Sequence, residues 1–220
     1  MPSSKKLGFK NLRVLVTSGP TAVPVDGMRV ITNRSTGEMG RLIAGEFVVQ
    51  GARVTLLEGV AVTTTVSLAS GISHKKFFFY DELARLLDLE LARGYDIVIH
   101  AAAVSDYKLA TVIKGKLVSG KALTLDLVPT KKLVDQIKKK APDVILVGFK
   151  LETQLARAFI LRRVDSLFKK AGCDLVVGNT LNAGRYQACL IEPSGRVSPK
   201  VASKDMLVKS LVAWIDHKIS

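Results

Sequence analysis

Residues 26–40 read DGMRVITNRSTGEMG. An Asp, two Arg, an Asn, a Ser and two Thr crowd around glycines, directly before an apolar helical pattern. Ser35-Thr36-Gly37-Glu38 fits a capping box, with Ser35 reaching forward and Glu38 reaching back. A cap alone does not need Asn33, Arg34 and two glycines. A helix amino terminus with free N–H groups is also an anion site, and the Asn33 amide can polarise a carbonyl oxygen. Asn33 is therefore a candidate catalytic group, and Arg34, Ser35, Thr36 and Gly37 are candidate substrate-binding residues.

Three further stretches carry chemistry. HAAAVSDYKLATVIKGK begins at residue 100. Its small residues Ala101, Ala102 and Ala103 let a ligand lie against the backbone, and Asp106 can hold a ribose hydroxyl or a metal-bound water, or merely cap a turn. Lys108, Lys114, Lys116 and Lys121 with Gly115 and Gly120 have the composition of a mobile cationic lid over a phosphate chain, or of an idle surface loop. VGFKLET puts Phe149 at a strand end, where it walls a base pocket or fills the core. GNTLNAGR puts Asn179 in a backbone-bracing or ligand-holding position.

The elements that must position these groups alternate. LRVLVTSG (12–19) and ARVTLLEG (52–59) read as buried strands around a helix carrying Met39, Leu42, Ile43, Phe47 and Val48, with Gly51 as its stop. KKFFFY is a short strand, and Asp81 is expected to cap ELARLLDLELARGY. DIVIHAAA (96–103) is a strong strand, ALTLDLVP alternates like another, and Thr130 is expected to cap KKLVDQIKKK. VILVGF, a helix over roughly 153–171, the strand DLVVGN, a hairpin around Pro193-Ser194-Gly195 and the helix SKDMLVKSLVAWIDHKI complete the chain. The pattern predicts an α/β fold: a Rossmann-like, mostly parallel sheet with helices on both faces and a C-terminal β-hairpin, in one domain over 1–220. Ligands in such folds bind beyond the carboxyl ends of the strands, where all four chemical stretches fall.

The 220 residues are 48% hydrophobic, enough for a core, with no apolar run of the roughly 18 residues that span a membrane. The start has no apolar signal segment. Two Cys, 173 and 189, make no disulfide framework or metal spacing, which suits a reducing cytoplasm. The net charge is +14, yet only 6% of residues are aromatic and no basic stripe interleaves with stacking rings. Nucleic acid and membrane are therefore not expected partners, and no metal ligands are assigned. The KKK at 138–140 suits a helix end.

Taken together, DGMRVITNRSTGEMG, AAAVSDY, LTLDLVPT, VGFKLET and DLVVGN resemble the phosphopantothenate–cysteine ligase (phosphopantothenoylcysteine synthetase) family, from about residue 12 to the last helix. The resemblance implies a ligase of coenzyme A biosynthesis. It would join 4'-phosphopantothenate to L-cysteine through an acyl-nucleotide, with CTP favoured over ATP as co-substrate and Mg²⁺ accompanying it. It implies a homodimer, a stand-alone ligase or a ligase domain expressed alone, and a separate decarboxylase partner in the pathway. It assigns Asn33 to the acyl-nucleotide carbonyl; Ala101, Ala102, Ala103 and Asp106 to the nucleotide; Phe149 to the base; and Lys131, Lys132, Leu133 and Val134 to a nucleotide-contacting helix start, with Lys131 where many relatives have Pro. The phosphate-binding lysines of the long helix fall between 163 and 171, nearest Lys169 and Lys170. Counting forward through the lid assigns its catalytic lysine to Lys116; counting backward lands beside Lys114, and the forward count crosses no gap.

Two other readings compete. One is an NAD(P)-dependent Rossmann-type oxidoreductase, against which the missing GxGxxG and the missing Tyr-x-x-x-Lys pair argue. The other is a basic non-catalytic binding module, which steep salt dependence of DNA binding would favour.

Overall fold

The computed structural model describes residues 8–60, 66–120, 122–182 and 184–220. In chain order the elements are β1 (Arg13–Ser18), β2 (Ala22–Pro24), β3 (Val30–Thr32), α1 (Glu38–Val49), β4 (Arg53–Gly59), β5 (Ser73–Phe77), α2 (Tyr80–Leu91), β6 (Ile97–His100), β7 (Tyr107–Leu109) and β8 (Leu127–Pro129). Then follow α3 (Val134–Lys140), β9 (Ile145–Leu151), α4 (Arg157–Lys169), β10 (Leu175–Asn182), β11 (Arg185–Ile191) and α5 (Lys204–Ile219).

Among the described residues, seven strands form one sheet in the order β11-β10-β9-β6-β1-β4-β5, and β2–β3 and β7–β8 form two separate ribbons. Every neighbour in the large sheet is parallel except β10–β11. β1 sits between β4 and β6, its Val14 opposite Val54 on one side and Ile97 on the other. It is buried from Val14 onward, as an unbroken Val/Leu run requires of a strand covered on both faces. From β1 the chain runs outward to β4 and β5, then returns to β6 and runs outward the other way. The switch point of the sheet therefore lies between β1 and β6, where successive loops part and leave a crevice.

Two cores hold the helices. Val14, Val16, Ile97 and Ile99 pack with Ile43 and Phe47 of α1 and Leu207 and Leu211 of α5 on one face. Leu15, Val98 and Leu146 pack with Leu83 of α2, Ile137 of α3 and Ile160 of α4 on the other. The three-to-four-residue spacing of these apolar positions makes one stripe per helix. Phe9 meets Phe47 edge-to-face at 5.2 Å and closes the bottom of the first core.

Several local expectations change. ALTLDLVP does not enter the large sheet: Leu127–Pro129 pairs with Tyr107–Leu109, extended by the Ala110 N–H to Asp126 O at 3.0 Å. Its alternation reports a half-exposed ribbon, and period two does not distinguish the two cases. Asp81 lies in the first turn of α2 and does not cap it; the Glu82 carboxylate accepts the Phe78 and Phe79 N–H groups at 2.7 and 3.1 Å instead. The long antiparallel arm is β10–β11, and the turn at Pro193–Gly195 closes a shorter return in which Ile191 bridges Val197.

His100 ends β6 at the switch point, buried, with Nδ1 3.0 Å from Thr17 Oγ1. Burial pushes its imidazole from 6.5 down to about 4. The unfolded chain therefore binds more protons than the folded one between those values, so stability is lost as pH falls through that window. Urea unfolding across this range is expected to show a loss on the order of 3 kcal/mol, and His100→Asn to flatten it. An unchanged slope in the variant would mean another group titrates.

Candidate active site

The loops after β1, β6, β9 and β10 open at one edge of the sheet. Ala103, after β6, donates its N–H to Gly19 O at 2.8 Å and accepts the Thr21 N–H at 3.2 Å. Asn33 Nδ2 donates to the same Ala103 carbonyl at 2.8 Å. The Asn33 side chain thus spans the switch point from the β1 side to the β6 side. One of its two N–H donors and its Oδ1 remain for another group. Thr32 Oγ1, one residue earlier, donates to Thr21 O at 3.1 Å and steadies the approach.

The capping box does not form. Gly37 is the N-cap of α1, at φ 74, and no side chain caps the helix. Thr36 Oγ1 takes the Glu38 N–H at 3.4 Å, and the Glu38 carboxylate pairs with Lys204 of α5. A left-handed residue suits glycine, and an uncapped start keeps backbone donors for an external anion. Gly40 serves packing: a Cβ there would lie 2.2 Å from Ser18 Oγ, so only glycine lets α1 approach β1 so closely. Arg34 and Thr36 are exposed and Ser35 is half-buried at this mouth.

Ala101 and Phe149 pack on the α1–α5 face, and Asn179, two residues beyond Val177, shares it. These residues therefore lie on one face of the sheet at its carboxyl edge, and the Asn33 loop reaches the same edge at Ala103. Asn179 also braces backbone: its carbonyl accepts the Glu152 N–H at 2.9 Å. Ala102 turns the other way and donates its N–H to Thr17 Oγ1 at 3.3 Å.

Asp106 is exposed and pairs with Lys132. Thr130, expected to cap α3, instead donates its hydroxyl to Ser105 O at 2.6 Å and its N–H to Asp106 O at 2.9 Å. It clamps the Asp106 loop to the start of α3, whose N-cap is Leu133 without a side-chain cap. Lys131 presents its carbonyl to Tyr80 at 2.6 Å. Leu133 and Val134 are buried, so only their backbone can face a ligand.

Lys169 and Lys170 do not join this cluster. They end α4, and the chain then enters β10 beside Leu146, where Asp174 N meets the Leu146 carbonyl near the opposite edge of the sheet. Lys169 is paired with Asp165 at 2.9 Å. Sequence spacing alone could not show which end of the helix faces the crevice. The cations at the carboxyl end of β9 are Lys150 and Arg163, both held by Glu152, at 3.5 and 2.6 Å.

Lys114 and Lys116 are exposed on a loop laid against the β2–β3 turn. Lys121 lies outside the described residues. Sequence reasoning missed the pair at the end of β4, where a dinucleotide-binding fold keeps an acid for a ribose. Here both oxygens of Glu58 are taken by Arg41, at 2.6 and 2.8 Å, and His74 Nε2 lies 3.0 Å from one of them. With its acceptors spent inside the protein, Glu58 does not serve a nicotinamide dinucleotide.

The profile of the family described as DNA/pantothenate metabolism flavoprotein C-terminal domain matches residues 9–218. The coenzyme A biosynthesis bifunctional protein CoaBC of Thermococcus kodakarensis is 40% identical over 184 residues, which are 81% of this chain and 44% of that protein. The chain thus spans about half the length of the curated relatives it matches. The crystal structure of the DNA/pantothenate metabolism flavoprotein from Streptococcus pneumoniae superposes with a TM-score of 0.82 at 23% identity, covering 94% of this chain and 99% of that one. A Cab2 mutant in complex with phosphopantothenate-cysteine superposes with a TM-score of 0.74 at 19% identity, covering 96% and 90%. These two share the fold.

The Glu58–Arg41 pair sits behind the start of α1, with side chains only 6% and 15% exposed. Removing one partner strands the other. Arg41→Met is expected to cost on the order of 3 kcal/mol in urea unfolding, and Arg41→Met with Glu58→Leu to recover most of it. A loss under about 0.5 kcal/mol in the single variant would place the pair among solvent-screened contacts.

Proposed function

We propose, from the premise that the chain belongs to the DNA/pantothenate metabolism flavoprotein C-terminal domain family, that it is the phosphopantothenate–cysteine ligase of coenzyme A biosynthesis. The observation that carries this reading is the Asn33 amide held across the switch point on the Ala103 carbonyl. The Cab2 complex with phosphopantothenate-cysteine, on the same fold, supports it.

In this reading the carboxylate of 4'-phosphopantothenate attacks the α-phosphorus of a nucleoside triphosphate, and pyrophosphate leaves. The cysteine amine then attacks the acyl carbonyl, and the nucleoside monophosphate leaves. Such steps need aligned reactants and neutralised charge more than covalent help from the protein. The free N–H of Asn33 donates to the acyl carbonyl oxygen as negative charge gathers there. Gly37 and the uncapped start of α1, with Arg34, Ser35 and Thr36 at the mouth, take an anionic group of the substrate. Ala101, Ala102 and Ala103 allow the nucleotide to lie on backbone, Phe149 walls the base, and Asp106 meets the ribose. Lys131 and Lys132 bring positive charge to the phosphates, and Lys116 closes over them from the lid. CTP is favoured over ATP on family grounds.

Among the described residues no three His, Cys, Asp or Glu side chains converge as a metal cage. Mg²⁺ would be carried by the phosphate oxygens of the nucleoside triphosphate. When bound it neutralises phosphate charge. We further place the protein in the cytoplasm as a homodimer. Val30 and Ile31 of β3 are each 38% exposed and Tyr107 of β7 is 56% exposed, on ribbons too small to be stable without cover. The product would pass to a decarboxylase partner.

The deciding experiment is pyrophosphate release from CTP and from ATP with 4'-phosphopantothenate, with and without cysteine. Release without cysteine and product only with it supports the reading; no release with either nucleotide overturns it. Asn33→Asp loses both amide donors, the free one and the one on the Ala103 carbonyl, and adds a charge beside phosphate, so turnover should fall by ~10²–10³ while acyl-nucleotide still forms. Wild-type turnover there would remove Asn33 from the chemistry.

Lys116→Gln is expected to lose cysteine-independent pyrophosphate release with the fold intact, and Lys114→Gln to lose much less. The reverse order would move the lid role to Lys114, and near-normal release in both would mean this loop is not the lid.

A further inference from the structure

We propose that Asp26 is a positioning residue whose carboxylate latches the lysine-bearing loop 110–120 onto the β2–β3 hairpin that leads to Asn33. Its side chain is 0% exposed and meets four donors. Oδ1 accepts the Met28 and Arg29 N–H groups at 2.8 and 2.7 Å, which shapes the turn. Oδ2 accepts Arg29 Nη1 at 2.6 Å and, from 91 residues away, the Leu117 N–H at 2.9 Å. The Leu117 and Met28 N–H groups, then those of Arg29, outweigh burial and hold the carboxyl at about 2, so the latch stays charged at neutral pH.

Two backbone bonds flank it: Ile113 N–H to Val25 O at 3.1 Å, and Gly27 N–H to Gly115 O at 2.8 Å. Lys114 thus lies between the anchors at 113 and 115, and Lys116 between those at 115 and 117. The loop's side chains add little else, for Lys114 and Lys116 are exposed and Val118 is 91% exposed. From Arg29 the chain runs directly into β3 and on to Asn33, which grips Ala103 O. One hairpin therefore carries both the amide at the switch point and the anchors of the cationic loop. The two move as one body while Asp26 is charged and in place.

Asparagine separates the two jobs of this carboxylate. Its Oδ1 keeps the turn, as in an ordinary Asx-turn. Its Nδ2 puts a donor against the Leu117 N–H and the Arg29 guanidinium, so the latch opens. Leu117→Pro cuts the same bond from the loop side: it removes the N–H donor, along with the half-buried Leu117 side chain, and leaves the hairpin sequence unchanged.

The test has two arms on the purified protein. Without any substrate, trypsin cleavage after Lys114, a bond that both variants leave open to the protease, is followed by mass spectrometry, with global unfolding measured alongside. Losing a charge-assisted bond should raise cleavage on the order of tenfold in Asp26→Asn and in Leu117→Pro, with the unfolding transition cooperative in both. The double variant should add little to either single one, because both cut one interaction. The second arm rests on the ligase reading: in pyrophosphate release, both variants should raise the KM for the nucleoside triphosphate on the order of tenfold with kcat falling less. Unchanged cleavage in either variant, or effects that multiply in the double, would overturn the latch. If the wild type releases no pyrophosphate, the ligase reading fails and the protease arm alone decides the latch. If it does, and the variants open the loop without moving KM, the positioning role is overturned.

Discussion

The parallel pairing of β1 with β4 on one side and β6 on the other is the constraint on which the site depends. A parallel pair cannot be closed by a tight turn, so each strand end must release a loop that travels. Beyond β1 and β6 the two segments stay joined through Gly19, Thr21, Ala103 and Ser105 before their connections part toward α1 and α3. The Asn33 amide and the Pro20–Ala103 bridge hold the two sides at a set separation. Loss of that register would move Ala101–Ala103, the start of α1 and the β2–β3 hairpin together.

Electrostatics follow from that frame. The chain carries 33 basic and 19 acidic side chains, and its buried acids are spent internally. Asp26 holds a turn and a loop, Glu58 holds Arg41, and Glu90 is bound by Lys75 and Tyr95, each at 2.5 Å. Fixed in this way, the acids cannot collapse onto the cations at the crevice mouth. Asp106 differs from these buried acids: it is exposed and pairs with Lys132 in solvent, where an incoming anion can compete for the lysine at small cost.

The two small ribbons tie these parts together. β2–β3 and β7–β8 are too short to be stable alone, and both carry apolar side chains that the large sheet does not cover. They extend the crevice beyond the strand ends, one bearing the run to Asn33 and the other the run from Asp106 to the cationic loop. The polar contacts among them link residues that are far apart in sequence, so the crevice wall is built by tertiary contact.

Much was legible in the sequence because it is local. Unbroken Val/Leu runs mark buried parallel strands, the spacing of Ile43 and Phe47 or Leu207 and Leu211 marks helices, and their alternation implies the sheet and the edge that would bind. The stretches around Asn33, Ala101–Ala103, Phe149 and Asn179 fall at that edge for the same reason: a strand end is visible where an apolar run stops. The tertiary structure decided what depends on partners and direction. Ser35 and Glu38 have the spacing of a capping box, but Glu38 found Lys204 from the other end of the chain. Thr130 looked like a helix cap, but the Ser105 carbonyl claimed its hydroxyl. Lys169 and Lys170 suited a phosphate by type, yet α4 runs away from the crevice and carries them to the far edge. Asp26 stood in a conspicuous stretch, but its partner Leu117 lies 91 residues on, and no periodicity reports a bond at that range. Local pattern encodes what a segment is; which distant donor reaches which acceptor is settled only when the packed sheet brings them within 3 Å.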